Sequence, residues 1–271
     1  CSQNENESIN VYGWVRTLRS SGTTLGFCNI NDGSNVNGIQ VIISEEFIGL
    51  NEIELFFKKV YTGSYLNCYG KLVKSPAEGQ EYELLLYNYK IVGDIDPNQY
   101  PLVKGRMNLD TLRNYIHLRS RTNVFGSVFR IRSTLMKILH DFYHSKGYLH
   151  LDPNIITTNE CEGGAGVFQI TEKDINNIDK LEKTKDRKYD WSTDHFTYPT
   201  FLTVSSQLQL EAMACSLGNV YTVNKSFRSE HSLTSKHVSE FTHLEIEIIN
   251  NTLDDLMNVG EEMIKYSISE I

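Results

Sequence analysis

No run of about eighteen apolar residues occurs in this 271-residue sequence, which excludes an apolar membrane-spanning helix. The opening CSQNENESIN has no apolar core of the kind a secretory leader needs, and no initiator Met, so the native N-terminus is expected upstream. Cysteine is scarce. Cys1, Cys28, Cys68, Cys161 and Cys215 are scattered, with no Cys-x-x-Cys pair. That argues against a disulfide framework or a zinc site, and predicts separate buried thiols in a reducing compartment, the cytoplasm. No metal site is expected in this chain, and there is no internal repeat. Positive charge is in deficit: a formal net charge of −8 argues against nucleic acid as a partner of the chain as a whole.

What is present is globular. The apolar share is 40% and the aromatic share 11%, on a length sufficient for one large domain or two ordinary ones. The acidic balance hides a basic middle. Residues 102–147 hold nine Lys or Arg against two acids, either a local phosphate-binding surface or a solvated helix face.

Residues 9–95 read as five strands, INVYGWV, LGFCNIND, NGIQVII, GSYLNCYGKLV and EYELLLYNYKIVG, rich in β-branched and aromatic residues. SSG, NDGSN and SPAEGQ supply turns, and EEFIGLNEIELFFKKV reads as a helical interlude. Together these suit a small Greek-key barrel such as an OB-fold. DIDPNQYPLVKG then reads as a connector. From Thr122 to Gly147, Val128, Ile131, Leu135, Ile138, Leu139 and Phe142 recur at helical steps. YLHLDPNIIT follows as a strand that Pro153 should confine to an edge or interface. Residues 171–198 are polar and read as a mobile insertion. PTFLTVSSQLQLEAMACSLG reads as a strand running into a helix that stops at Gly218.

The densest chemistry is SFRSEHSLTSKHVSEFTHLEIEI, residues 226–248. Alternation puts Asn224, Ser226, Arg228 and Glu230 on one face of a first strand, and Phe241, His243, Glu245 and Glu247 on one face of a second. Paired as a hairpin, the two sets share a face, with Lys236 and His237 in the loop. An arginine held on a strand can fork onto a phosphate and stabilise charge building at phosphorus. A phenylalanine beside it offers a flat surface to a purine, and a glutamate can hold an ammonium group. The same alternation also fits any half-buried antiparallel hairpin.

FRSE, a loop with KH, then EF and alternating acids resembles motif 2 of the class II aminoacyl-tRNA synthetases, in the version of the Asp, Asn and Lys subgroup. VYGWVRTLRSSGTTLGFCNINDGS is similar to that subgroup's anticodon-binding OB domain, LRNYIHLRSRT to its hinge signature, and FRIRSTLMKILHDFYHSKGYLHLDPNIIT to motif 1. TTNECEGGAGVF and VSSQLQLEAM resemble the asparaginyl members in particular. The resemblance implies an α+β fold: an OB-fold anticodon-binding domain over 1–95, a hinge over 96–121, and over 122–271 the N-terminal part of a class II catalytic domain.

By this likeness Arg228 is the catalytic residue and grips the α-phosphate of ATP. Glu230 lies near adenine or the tRNA end, Lys236 and His237 near the outer phosphates, and Phe241 stacks on adenine. Lys236 stands where an arginine is common, keeping the charge but losing the fork. Glu162, Ser205, Gln207 and Glu245 are implied in amino-acid binding, and Arg19, Phe27 and Gln40 in anticodon binding. Arg113, Arg119 and Arg121 would line a tRNA path or tie two domains together.

The implied activity is asparagine–tRNA ligation, using ATP and Mg²⁺, on asparagine and tRNA(Asn), in a homodimer built through motif 1 and without a membrane. An aspartate–tRNA ligase and a non-catalytic RNA-binding derivative are the alternatives. The sequence departs from the family by stopping at KYSISEI, before any glycine-rich motif 3 with its second ATP-binding arginine, so the chain alone is expected to have little or no activity.

Overall fold

The computed structural model describes residues 6–102, 107–161, 166–231, 234 and 236–271. The chain divides into two compact units, Cys1–Ile131 and Arg132–Ile271.

The first unit carries all five strands read from the sequence: β1 (Ser8–Ser21), β2 (Leu25–Asn31), β3 (Ile39–Ser44), β4 (Tyr65–Lys74) and β5 (Tyr82–Gly93). They close into a barrel in the order β1-β2-β3-β5-β4, with β3 and β5 its parallel pair. Closure depends on the length of β1, whose first half pairs with β4 and whose second half pairs with β2. This is the OB-type Greek key, and the chain as a whole is α+β. The interlude forms α1 (Glu45–Ile48) and α2 (Leu50–Lys59). From α2, Ile53 and Phe56 join the barrel core of Val15, Ile30, Val41, Ile43, Leu66, Leu84 and Leu86.

Cys28 and Cys68 are buried in this core, and burial pushes the Cys68 thiol up to about 12. The expectation of separate buried thiols fails elsewhere: Cys161 is half-buried and Cys215 exposed. Gly70 sits where β4 and β5 crowd, and a Cβ there would lie 2.0 Å from the Leu85 carbonyl oxygen. A β-bulge interrupts β1 between Val15 and Thr17.

After α3 (Leu109–Arg113), the long predicted helix appears as α4 (Asn123–Ser145), with Gly147 following at φ +78°. Only its C-terminal half buries the apolar stripe. Ile138, Leu139 and Phe142 are buried, while Val128 and Ile131 are about half exposed. YLHLDPNIIT is not one strand. It is β6 (Leu149–His150) and β7 (Ile156–Thr157) with a break at Pro153, which lacks the N–H a continuous ladder needs. The Pro153 carbonyl instead accepts from the Asn224 side-chain amide at 2.8 Å.

Strands β8 (Phe168–Ile170) and β9 (Thr200–Leu202) complete a sheet of order β7-β9-β8. Between them, the segment read as an insertion is organised around buried Asp194. Its carboxylate accepts from the Thr171 and Tyr189 hydroxyls and from the backbone N–H groups of Glu172 and His195. Burial raises this carboxyl, but those donors outweigh it and hold it at about 2. The remaining elements are α5 (Gln207–Leu217), β10 (Val220–Phe227), β11 (Glu240–Glu247) and α6 (Leu253–Glu270), the last opened by a capping box of Thr252 and Asp255. Among the described residues no helix is long and apolar enough to cross a membrane.

Candidate functional site

Strands β10 and β11 pair antiparallel with Thr222 opposite Glu245, Asn224 opposite His243, and Ser226 opposite Phe241. The predicted two-faced hairpin therefore forms. Its apolar face, Tyr221, Val223, Leu244 and Ile246, packs on Phe142 and Tyr143 of α4 and on Val259, Met263 and Tyr266 of α6. Burial of that face fixes the register, since a slip of one residue would turn every side chain to the wrong side.

The opposite face carries the chemistry. The Arg228 N–H donates to the Ser239 carbonyl at 3.0 Å, extending the ladder past the strand end. Its guanidinium carbon then lies 5.5 Å from the centroid of the Phe241 ring. Arg228, Glu230, Lys236, His237, Val238, Ser239 and Phe241 line one cavity of about 360 Å³. All five residues expected to meet a nucleotide are thus together. Arg228 Nε is buried without a partner among the described residues, a donor state that a bound acceptor would relieve. His237 Nδ1 pairs with the Thr234 hydroxyl.

Beside this cavity, Glu245 fastens the start of α5. Its side chain is only 10% exposed. It accepts from the Ser205 hydroxyl, and from the Ser206 N–H at 3.1 and 3.0 Å. Ser205 Oγ in turn accepts from the Gln207 N–H at 3.1 Å. Ser205, one residue before the N-cap Ser206, therefore holds the first N–H of α5 as well as neighbouring the expected amino-acid residues. The Gln207 amide donates to Glu211 at 2.8 Å and its oxygen lies 3.8 Å from the Cys161 sulfur. Glu162 lies outside the described residues.

Two members of this cluster have no role in the sequence reading. His243 sits 3.1 Å from the Ser226 hydroxyl and 3.5 Å from Glu245, and the Ser206 backbone N–H carries the α5 contact. Alternation already placed His243 on the right face; the backbone donor leaves no trace in a sequence. Burial, then the carboxylates of Glu211 and Glu245, push the Glu247 carboxyl up.

In the barrel, Arg19 is opposite Phe27 and its guanidinium carbon lies 4.6 Å from that ring's centroid. Asn29 is opposite Gln40 on the next strand. Arg19, Phe27 and Gln40 line one cavity of about 670 Å³. Three further arginines are engaged by aromatic rings. Arg113 and Arg119 lie 6.0 and 5.6 Å from the Phe125 centroid, and Arg121 lies 4.5 Å from that of Trp14.

A family model described as tRNA synthetases class II (D, K and N) matches residues 108–271. The chain belongs to this family. A second, an OB-fold nucleic acid binding domain of the tRNA anticodon type, matches residues 9–92 of the same chain. An asparagine–tRNA ligase of Idiomarina loihiensis is 41% identical over 262 residues, covering 96% of this chain and 55% of the relative. One of Borreliella burgdorferi is 37% identical over 266 residues, covering 98% of this chain and 56% of the relative. The class II chain thus spans a little over half the length of the curated relatives it matches. In fold it is similar to the asparaginyl-tRNA synthetase of Pyrococcus horikoshii solved with asparaginyl-adenylate, at TM-score 0.79 and 24% identity, covering 99% of this chain and 56% of that one. Among the described residues, no group of three or more His, Cys, Asp or Glu is placed to hold a metal ion.

Proposed function

We propose that these residues are part of an asparagine–tRNA ligase, which condenses asparagine with ATP and passes the asparaginyl group to tRNA(Asn). The observation that carries this reading is the Arg228 guanidinium 5.5 Å from the Phe241 ring, in the cavity that Glu230, Lys236 and His237 also line. Adenine stacks on Phe241. The guanidinium forks onto the α-phosphate, and Lys236 and His237 take the outer phosphates. The asparagine carboxylate attacks the α-phosphorus and pyrophosphate leaves. The terminal ribose hydroxyl of the tRNA then attacks the acyl carbon and AMP leaves. Little covalent chemistry falls to the protein, so alignment and charge stabilisation carry the rate.

Ser205, Gln207 and Glu245, with Glu162, receive the amino acid. Glu245 acts as a carboxylate already fixed by Ser205 and Ser206, and so discriminates an amide from an acid without first having to be ordered. Arg19, Phe27 and Gln40 read the anticodon by stacking and edge contacts. We assign 1–95 to anticodon binding, 96–121 to the hinge and 122–271 to part of the catalytic domain. Exposed Val124, Val128, Phe129 and Ile131 on α4 support a homodimer through that helix. Scarce, scattered cysteines with no Cys-x-x-Cys spacing support a cytoplasmic setting. For Mg²⁺, no group of three or more candidate ligands is present among the described residues.

The test is ATP–pyrophosphate exchange with the full-length protein, offering asparagine and aspartate in competition. Asparagine-dependent exchange is expected. Dependence on aspartate instead would make it an aspartate–tRNA ligase, and exchange with neither would favour a non-catalytic RNA binder.

A further inference from the structure

The bulge in β1 does something that simple alternation would not. Val15 is opposite Ile30, and both point into the barrel core. In an unbroken ladder Arg16 would then face Asn29, Thr17 would turn inward and Arg19 would follow it inward. The bulge adds one residue between Val15 and Thr17, so Thr17 is opposite Asn29, Leu18 opposite Cys28 in the core, and Arg19 opposite Phe27. A residue gained in this way lets two successive side chains share the outer face. Arg16 is that added residue, and it enters the cavity of Arg19, Phe27 and Gln40.

There it donates to the Asn123 side-chain oxygen at 2.7 Å, a neutral partner that leaves its charge uncompensated. Arg121, stacked on Trp14, lines the same cavity. None of the described residues lining it is a carboxylate. Burial, with Arg121 and Arg130 as like-charged neighbours, holds the Arg16 guanidinium below its ordinary range, against an opposing contribution from Tyr100. In a chain with formal net charge −8, a cavity with three arginines and no acid calls for an anionic ligand.

We propose that Arg16 and Arg121 form a phosphodiester seat for the single-stranded RNA whose bases Arg19, Phe27 and Gln40 read. This rests on the reading of the barrel as an RNA-binding face, and it adds a sequence-independent contact beside the base contacts. Phosphate contacts set register, and base contacts set specificity.

The experiment measures Kd for an oligouridylate and for a tRNA anticodon arm between 50 and 200 mM salt, on wild type, Arg16→Gln, Arg16→Lys and Asn123→Ala. Losing one phosphate contact to a single strand lowers the salt slope by about 0.7, or roughly a threefold smaller change in Kd over that range. Arg16→Gln is expected to show this loss on both RNAs, with the preference between them unchanged. Arg16→Lys and Asn123→Ala, which keep the charge, should hold the wild-type slope, separating charge from any structural role of the Asn123 contact. An Arg16→Gln slope equal to wild type overturns the seat. Phe27→Ala is the complementary arm. It should erase the preference for the anticodon arm and leave the slope intact. If it does not, the base-reading assignment falls while the phosphate seat stands. Wild type that binds neither RNA overturns both.

Discussion

The Arg228 guanidinium faces the Phe241 ring because Ser226 and Phe241 are register partners, so that residue 228 and residue 241 emerge on one side of the β10–β11 ladder. A cation held over a ring gains about 0.5–1 kcal/mol at an exposed site. That is enough to bias the side chain toward one orientation before any nucleotide arrives.

The relationship makes Arg228 hard to replace. In a protein competent for exchange, Arg228→Lys keeps the charge but loses the planar fork. We expect kcat for ATP–pyrophosphate exchange to fall by about 10²–10³, the usual cost of removing one preorganised donor from a developing oxyanion. Steady-state exchange kinetics would check this. A loss confined to KM for ATP would mean that Arg228 only binds.

Glu245 links two elements, and its removal should be felt at both. Glu245→Ala leaves the Ser205 hydroxyl and the Ser206 N–H without their acceptor. Hydrogen bonds to charged groups are worth about 1.5–3 kcal/mol each, so denaturant unfolding of the 271-residue chain should show a loss of that order. In the exchange-competent protein the KM for asparagine should rise more than the KM for ATP.

Gly70 tests the barrel alone. An alanine Cβ there would meet the Leu85 carbonyl oxygen at 2.0 Å, and that oxygen belongs to backbone that cannot swing aside. Gly70→Ala should destabilise the chain by at least about 1–3 kcal/mol, the range for overpacking. Gly22→Ala is a comparison site where a Cβ meets no atom within 4 Å, although its φ of +70° carries a backbone penalty of its own. Urea unfolding followed by tryptophan fluorescence, with Trp191 replaced by Phe so that Trp14 alone reports, would read both.

Asp194 gives a pH dependence with a definite sign. Its folded carboxyl titrates at about 2, below the unfolded value of about 3.9. The stabilisation is therefore complete above about pH 4 and lost as pH falls toward 2. Melting curves of wild type and Asp194→Asn should differ most near neutrality and converge over that window. A constant difference down to pH 2 would contradict the depressed value.

Much of this was legible in the sequence where one face of an element is buried and the other wet. Period-two alternation at 220–227 and 240–247 was enough to place Arg228 and Phe241 on one side, because burying Tyr221 and Leu244 leaves no other register. The five barrel strands were legible for the same reason. What was not legible depends on contacts distant in sequence. The Asp194 cluster draws donors from residues 171, 172, 189 and 195, which in sequence look only like a polar run. Half of the α4 stripe is exposed although its periodicity matches that of the buried half, since periodicity reports a face and not what covers it. The bulge at Arg16 was equally silent, because a local extra residue leaves the composition of a strand unchanged.

That bulge makes β1 unequally sensitive to two kinds of genetic change. Substitutions along it alter one side chain at a time, and most positions on the outer face should accept them. Losing the Arg16 codon would instead join Val15 directly to Thr17, which already faces Asn29, so Leu18 would stay inward and Arg19 outward, while a loss farther along the strand would turn every later side chain over. For this strand the extra residue is the one codon whose loss leaves both faces intact.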